Sequence, residues 1–151
     1  MKKYSADELF KIAYDHLQKK DYRKSAGLFE KLIKDYPKNI SVLRNLSYCY
    51  AYLNEFEKAE TCLRKIISIK PDQPFVYQFL ASILKDQDKL EEAISIVNEG
   101  LEKKLMNEKW EIQKNLFFPK IPFNKEEIQK YRQIIEGELN KIQNVNFQKH
   151  L

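Results

Sequence analysis

The sequence predicts an all-α protein in which helical hairpins stack side by side into a solenoid. Glycine occurs only 3 times and proline 5 times in 151 residues, which suits long helices and disfavours a sheet with many tight turns. A pattern of apolar, small and aromatic residues also occurs three times at a constant interval, with copies that begin at positions 6, 40 and 74. Because one hairpin cannot bury its apolar face alone, tandem copies must stack on one another.

The first copy of the pattern spans residues 6–39. Ser5 precedes its first helix and Glu8 follows three residues later, which predicts a capping box at the helix start. Apolar residues at helical spacing then predict one helix, a polar break at 19–21 and a second helix. This second helix should end near Pro37, because proline disfavours helix in the residue before it.

Shifting the pattern by one interval gives a second copy at 40–73, and shifting it again gives a third at 74–107. Small residues hold one position in each helix of the hairpin, and we expect them to let the two helices approach closely. These residues are Ala13, Ser47 and Ala81 in the first helices and Ser25, Ala59 and Ala93 in the second. Leu105 stands where the first two copies have a proline, so the last repeat helix should run on or pass directly into the next element.

This pattern resembles the tetratricopeptide repeat, whose signature is W-x2-L-G-x2-Y, then A-x3-F, then P. The middle copy matches it with Leu43, Leu46, Ser47, Tyr50, Ala59, Leu63 and Pro71. The resemblance covers about two thirds of the chain, 6–107. It implies a right-handed superhelix (an α-solenoid) of three hairpins, in which the first helix of each hairpin lines an inner, concave groove.

Several groove positions implied by the resemblance carry aromatic side chains that the repeat does not need for its own packing. The candidate peptide-binding residues are Phe10, Lys11, Tyr14, Arg44, Asn45, Tyr48, Tyr52, Gln78, Phe79 and Ser82, with Asp7, Ser41, Phe75 and Lys85 beside them. Aromatic anchors next to Arg and Asn donors suit a groove that holds an extended peptide or a partner helix. The alternative is that some of these aromatics fold against a tail or a neighbouring subunit.

Tetratricopeptide co-chaperones form a sub-family that grips the C-terminal carboxylate of heat-shock proteins with a clamp of Lys and Asn. Only Asn45 falls on a clamp position in this sequence, while Phe10, Tyr14 and Phe79 occupy others. A carboxylate clamp of that type is therefore not expected.

The part after the repeats has a different pattern. Residues 108–118 read as a capping helix in which Trp110, Leu116 and Phe117 form a lid over the last hairpin. A proline-containing linker at 119–124 follows, and Asn124 should cap a last helix at 125–143, before a tail at 144–151. One apolar stripe runs along that helix, through Ile128, Tyr131, Ile135, Leu139 and Ile142. The helix either extends the lid or docks on something else, self-association included.

The same region carries a second, shorter resemblance. It looks like the join of bacterial enzymes similar to O-linked N-acetylglucosamine transferases, where repeats meet a Pro-Ile/Val-aromatic run and then a helix of the form (S/N)-x-E-E-I-x-x-x-R. The matching residues are Pro119, Ile121, Phe123, Asn124, Glu126, Glu127, Ile128 and Arg132. This resemblance implies that the chain is the substrate-recruiting region of a protein glycosyltransferase, without its catalytic part.

The residues themselves provide no catalytic motif, no cofactor-binding loop and no metal-ligand spacing. His16 falls on a packing position of the repeat, and one histidine without a placed partner does not make a catalytic site. Cys49 and Cys62 fall on the two helices of the middle repeat, where free cysteine usually behaves as a small buried hydrophobe. We therefore expect a protein–protein interaction module and not an enzyme.

Charge and hydropathy limit the partners. The net charge of +5 comes from 27 basic and 22 acidic residues that are interleaved along the chain, so nucleic acid is not an expected ligand. No apolar run approaches the length of a membrane span, and the first ten residues lack the apolar core of a signal peptide. Two free thiols agree with a reducing compartment, so the expected location is the cytoplasm.

Overall fold

A computed structural model describes residues 4–117 and 124–148, and this part consists of eight α-helices without a strand. The helices are α1 (Ala6–Gln18), α2 (Tyr22–Asp35), α3 (Ile40–Tyr52), α4 (Phe56–Ile69), α5 (Pro74–Asp86), α6 (Leu90–Glu102), α7 (Glu108–Asn115) and α8 (Lys125–Gln148). The first six form three antiparallel hairpins that pack in chain order, which confirms the predicted solenoid. Most of the predicted linker, with Pro119, Ile121 and Phe123, lies outside the described residues, as does His150.

The helix starts follow the repeat interval of the sequence. Helices α1, α3 and α5 begin at residues 6, 40 and 74, and helices α2, α4 and α6 begin at 22, 56 and 90. The predicted capping box is present, because Ser5 Oγ accepts from the Glu8 N–H at 3.2 Å and Glu8 Oε2 accepts from the Ser5 N–H at 2.8 Å. Asn39 caps α3 in a similar way through the N–H of Val42 at 3.1 Å.

The turn inside each hairpin is built the same way every time. One residue takes the left-handed conformation, with φ of 60° at Lys20, 59° at Asn54 and 63° at Asp88. The next N–H then reaches back to a helix carbonyl, as Asp21 does to His16 at 2.9 Å, and the same bond recurs at Glu55 and Lys89. This Schellman arrangement satisfies a carbonyl that the helix end would otherwise leave without a donor.

The small residues lie where the two helices of a hairpin cross. All six are completely buried: Ala13, Ser25, Ser47, Ala59, Ala81 and Ala93. The crossing is close enough for Ser25 Oγ to donate a hydrogen bond to the backbone carbonyl of Ala13 at 2.8 Å. Bulky side chains, among them Phe29, Leu63 and Tyr77, fill the space around these contacts and are also fully buried.

Both cysteines are part of this core. Cys49 and Cys62 are buried, unpaired thiols on α3 and α4. Burial raises the pKa of the Cys62 thiol to about 11, so it stays protonated at neutral pH. Cys49 donates to Ser25 Oγ at 3.3 Å, and burial raises its pKa as well. These are packing residues with little thiolate character.

A polar network joins the second hairpin to the third. Glu60 of α4 accepts from Arg64 Nε at 2.8 Å, from Lys89 Nζ at 2.9 Å and from Gln87 Nε2 at 3.1 Å. Arg64 also donates through Nη2 to Glu92 of α6 at 2.9 Å. Burial acts to raise the pKa of Glu60, but the three hydrogen bonds outweigh it and bring the pKa down to about 2.

The third hairpin ends without the proline of the first two. Helix α6 ends at Glu102, where Lys104 turns the chain with φ of 56° and Leu105 N–H donates to the Gly100 carbonyl at 2.8 Å. The helix therefore does not run on, and a short turn leads the chain into α7. Helix α7 begins at residue 108, which continues the series of first-helix starts at 6, 40 and 74. It stands where the first helix of a fourth hairpin would begin.

The last two helices differ in length from the prediction. Helix α7 ends at Asn115, before the predicted limit of 118, while Trp110 and Phe117 pack partly buried against the core as a lid would. Helix α8 begins as expected, since Asn124 Oδ1 accepts from the Glu127 N–H at 2.8 Å. It continues to Gln148, beyond the predicted end at 143, because no glycine or proline interrupts residues 144–148.

Candidate functional site

The first helices of the hairpins, together with α7, line a groove made of three adjoining cavities. The first cavity holds about 450 Å³, the second about 400 Å³ and the third about 270 Å³. Arg44 and Tyr48 line both the first and the second cavity, and Trp110 lines both the second and the third. We call this continuous depression the concave groove.

The first cavity lies between the first two hairpins. It is lined by Tyr14, Leu17, Gln18, Lys20, Tyr22, Arg44, Asn45 and Tyr48. The second lies between α3, α5 and α7 and is lined by Arg44, Tyr48, Phe75, Gln78, Phe79 and Trp110. The third continues along α5 and α7 and is lined by Ser82, Lys85, Trp110, Gln113, Leu116 and Phe117.

A row of aromatic rings runs across the middle of the concave groove. Tyr22 stacks on Tyr52 with ring centroids 4.5 Å apart, and Tyr52 lies 4.8 Å from Tyr48, whose ring is 6.2 Å from Phe79. Tyr48 donates its hydroxyl hydrogen to the Tyr52 hydroxyl at 3.1 Å. This hydrogen bond, together with burial, raises the pKa of Tyr48 to about 12, so the Tyr48 hydroxyl stays protonated at neutral pH.

The charges that line the concave groove have one sign. Among the described residues that line the three cavities, Lys20, Arg44 and Lys85 are the charged ones, and none is a carboxylate. Two of these cations lie over rings: the Arg44 guanidinium is 5.5 Å from the Phe75 centroid, and Lys85 Nζ is 6.0 Å from that of Phe117. The groove therefore combines apolar rings with fixed positive charge.

The structure brings together seven of the ten residues predicted from the sequence to bind a peptide. Tyr14, Arg44, Asn45, Tyr48, Gln78, Phe79 and Ser82 line the three cavities, and Tyr52 borders them through its contacts with Tyr22 and Tyr48. Tyr48 is 42% exposed, and Tyr14 and Tyr52 are similarly open. Their role in binding stays a prediction.

Three of the predicted residues are placed differently from the expectation. Phe10 is partly buried, with its ring edge against Phe29 at 5.4 Å, so it belongs partly to the core. Lys11 is exposed but is not among the lining residues of the three cavities. Asn45 is only 9% exposed, so it reaches the groove as a wall residue and not as an open donor.

The sequence reasoning missed residues at both ends of the groove. Lys20 and Tyr22 come from the first hairpin turn and the start of α2, whereas only first helices were considered. Trp110, Gln113 and Phe117 come from α7 and its end, which was interpreted only as a lid. Continuing the repeat register past residue 107 would have placed α7 beside the groove.

The described residues do not form a metal site or a membrane span. Among residues 4–117 and 124–148, no group of three or more His, Cys, Asp and Glu is placed to hold a metal ion. His16 is partly buried, and its Nδ1 lies 3.4 Å from Asp21 Oδ2 across the first hairpin turn. Within the same residues, no helix is both long and apolar enough to cross a membrane.

Comparison with known proteins gives one family. Residues 16–83 match the model of the tetratricopeptide repeat family. A search of curated proteins returned no match. Solved structures with a similar fold are numerous.

Three of these structures illustrate the similarity. MamA from Desulfovibrio magneticus RS-1, residue 41 to the end, superposes with a TM-score of 0.72 at 12% identity, over 97% of this chain and 78% of that one. The first TPR of Spaghetti (RPAP3), bound to the HSP90 peptide SRMEEVD, gives 0.60 at 19% identity, over 87% and 91% of the two chains. The Yersinia enterocolitica type III secretion chaperone SycD, in complex with a peptide of the translocator YopD, gives 0.62 at 16% identity, over 89% and 92%. At these identities the likeness shows the fold.

Proposed function

Since the chain is a tetratricopeptide-repeat protein, we propose that it is a protein-interaction module that holds an extended peptide or a partner helix in its concave groove. The observation that carries this proposal is the row of half-exposed aromatic rings flanked by Lys20, Arg44 and Lys85. Two solved structures with the same fold hold peptides, which supports the same use here. Rigid aromatic anchors beside charged donors are the usual means by which such surfaces bind peptides.

The groove favours a ligand with acidic and apolar side chains. None of the described lining residues is a carboxylate that could neutralise its cations, so an acidic side chain would gain an ion pair, while a basic one would be repelled. Apolar side chains of the ligand would cover Tyr48, Phe79 and Trp110 and remove them from water. The clamp positions filled by Phe10, Tyr14 and Phe79 favour acidic side chains within the peptide over a terminal carboxylate as the bound group.

Selection from a display library of random peptides tests this function directly. We expect the complete chain to enrich peptides that combine Asp or Glu with aromatic or aliphatic residues. Their affinity, measured by fluorescence polarisation, should fall as salt is raised, because the ion pairs are partly exposed. Enrichment of basic peptides, or of none, would contradict the proposal.

Two variants locate the binding site. Tyr48→Ala should weaken a selected peptide about tenfold, because it removes the central ring of the row, and Arg44→Glu should weaken it at least as much by reversing a groove charge. Tyr36→Ala and Arg23→Glu make the same changes at exposed positions outside the groove lining and should bind normally. If the control variants lose affinity equally, the peptide binds elsewhere. Phe79 is unsuitable for this test because it is partly buried against the core.

A second candidate function rests on the resemblance of the C-terminal part to the glycosyltransferase join. Asn124 begins a helix, as that resemblance requires, whereas Pro119, Ile121 and Phe123 lie outside the described residues. On this alternative the groove recruits a protein substrate for a catalytic region on the same chain or on a separate one. The intact mass of the native protein tests the first version: a mass near 18.1 kDa rejects it. Co-purification of a catalytic chain tests the second.

The remaining parts of the proposal concern chemistry and location. The chain is proposed to bind without catalysing a reaction, to act in the cytoplasm and to use neither a cofactor nor nucleic acid. Interleaved surface charge and buried, protonated thiols are what support this view. A nucleic-acid gel-shift assay at physiological salt should show no complex, and a salt-resistant complex would reject that part of the proposal.

A further inference from the structure

Exposed aliphatic side chains are concentrated at one end of the described chain. In residues 4–107, every large hydrophobic side chain that is open to solvent is a tyrosine. Beyond this region Leu116, Ile128, Ile135 and Leu139 are exposed, and the last three lie on α8 with exposures of 41%, 38% and 52%. Their spacing of seven and four residues places them on a single line of a helix. We call Ile128, Ile135 and Leu139 the outer stripe.

The outer stripe is not the face by which α8 contacts its own chain. Within residues 125–141, the positions that are not exposed are Glu127, Tyr131, Ile134 and Glu138, about a quarter turn away from the stripe. Glu138 Oε1 accepts a hydrogen bond from Asn115 Nδ2 of α7 at 3.1 Å, which fixes this inner face toward the solenoid. The outer stripe is thus an apolar surface left over after α8 has docked.

The two flanks of the outer stripe differ. The inner face lies along one flank and faces the solenoid: Glu138 bonds to Asn115, and Tyr131 and Ile134 line a cavity of about 480 Å³ between α8 and the solenoid. Along the other flank lie Arg132 and Glu136, two exposed and opposite charges one helical turn apart. Only this second flank can come close to another molecule that covers the stripe.

We propose that the outer stripe pairs with the outer stripe of a second copy of the chain, antiparallel and about a two-fold axis. In a parallel helix pair each helix turns opposite flanks to its partner, so one helix would have to use its occupied inner face. In an antiparallel two-fold pair both helices turn the same flank to each other, and the exposed Arg132–Glu136 flank is available on both copies. The interface is isologous, which closes the assembly at a dimer.

One register satisfies the apolar and the charged residues together. Placing Ile128 of one copy beside Leu139 of the other puts the two-fold axis between residues 133 and 134, with one Ile135 side chain on each side of the axis and the two about 4.5 Å apart along the helices. The same register brings Arg132 to within about 1.5 Å, along the helix, of the level of Glu136 of the second copy, twice by symmetry, so the flank is self-complementary in charge. The stripe extends over roughly 17 Å of helix, and such a small interface predicts a weak, concentration-dependent dimer.

Sedimentation equilibrium of the complete chain over a wide concentration range tests this arrangement. The mass should rise from 18.1 kDa toward twice that value with increasing concentration. Ile135→Glu and Leu139→Glu should each keep the chain monomeric, with unchanged helicity because both positions are exposed. Asn140→Glu adds the same charge at an exposed position away from the stripe and should dimerise like the unaltered chain.

The charged flank tests the orientation. Arg132→Glu should weaken the dimer about tenfold, and adding Glu136→Arg to it should restore association. A chain that stays monomeric throughout overturns the proposal, and so does association that survives Ile135→Glu. Failure of the charge reversal to restore a dimer that Arg132→Glu has weakened would overturn the antiparallel register. None of these outcomes depends on peptide binding in the concave groove.

Discussion

Ala59→Arg should strongly destabilise the middle hairpin and with it most of the solenoid. Ala59 is completely buried on α4, and its counterpart in the first hairpin, Ser25, is close enough to α1 to bond its backbone. An arginine side chain has neither the space nor a partner for its charge at such a crossing. We expect a loss on the order of 4 kcal/mol in the free energy of unfolding and a fall of roughly 10 °C in the thermal midpoint.

The matched control for this variant lies two residues further along the same helix. Thr61→Arg introduces the same side chain at an exposed position and should change the stability by less than about 0.5 kcal/mol. Both variants are compared with the unaltered chain by urea denaturation followed by circular dichroism. A folded Ala59→Arg protein of normal stability would show that the repeat alignment is wrong, because it rests on a small residue at this position.

Glu60→Gln should cost about 2 kcal/mol of stability at pH 7, because it removes the charge that holds Arg64 and Lys89 between the second and third hairpins. The pKa of Glu60 in the folded chain is about 2, below the ordinary value of 4.5. A group with a lowered pKa stabilises the fold above its unfolded pKa and loses this contribution as the pH falls through the folded one. The stability difference between the two proteins should therefore shrink between about pH 4.5 and pH 2.

Denaturant unfolding of both proteins at several pH values checks this expectation. Glu102→Gln makes the same change at an exposed carboxylate of α6 and should leave stability within about 0.5 kcal/mol at every pH. A Glu60→Gln deficit that stays constant down to pH 2 would mean that the carboxylate is not stabilised by its ionised form.

The fold could be predicted from the sequence because the residues that recur at the repeat interval are those that close helix packing requires. Small residues at Ala13, Ser47 and Ala81 mark the hairpin crossings directly, and the capping groups of Ser5 and Asn124 mark helix starts. These signals are local, so one chain is enough to read them. The predicted end of α8 at residue 143 is too early. No glycine or proline follows to stop the helix there, and it continues to Gln148.

The candidate site was predictable only in part. Periodicity identifies the residues that point away from the core, and this located Arg44 and Tyr48 correctly beside the cavities. It does not reveal how far a neighbouring element covers a side chain, which is why Asn45 proved largely buried. It also cannot assign Trp110 two roles at once, as packing residue and groove wall, since that depends on where α7 lies against α5.

If the concave groove holds a peptide as proposed, the position of α7 sets how long that peptide can be. Four helices, α1, α3, α5 and α7, stand side by side along the groove and begin at residues 6, 40, 74 and 108. At the spacing of about 10 Å that is common between neighbouring helices, three steps span roughly 30 Å. An extended chain advances about 3.3 Å per residue, so this distance corresponds to a segment of about nine residues. The number of repeats thus sets the length of the peptide segment that the groove could hold. One further hairpin would lengthen that segment by about three residues.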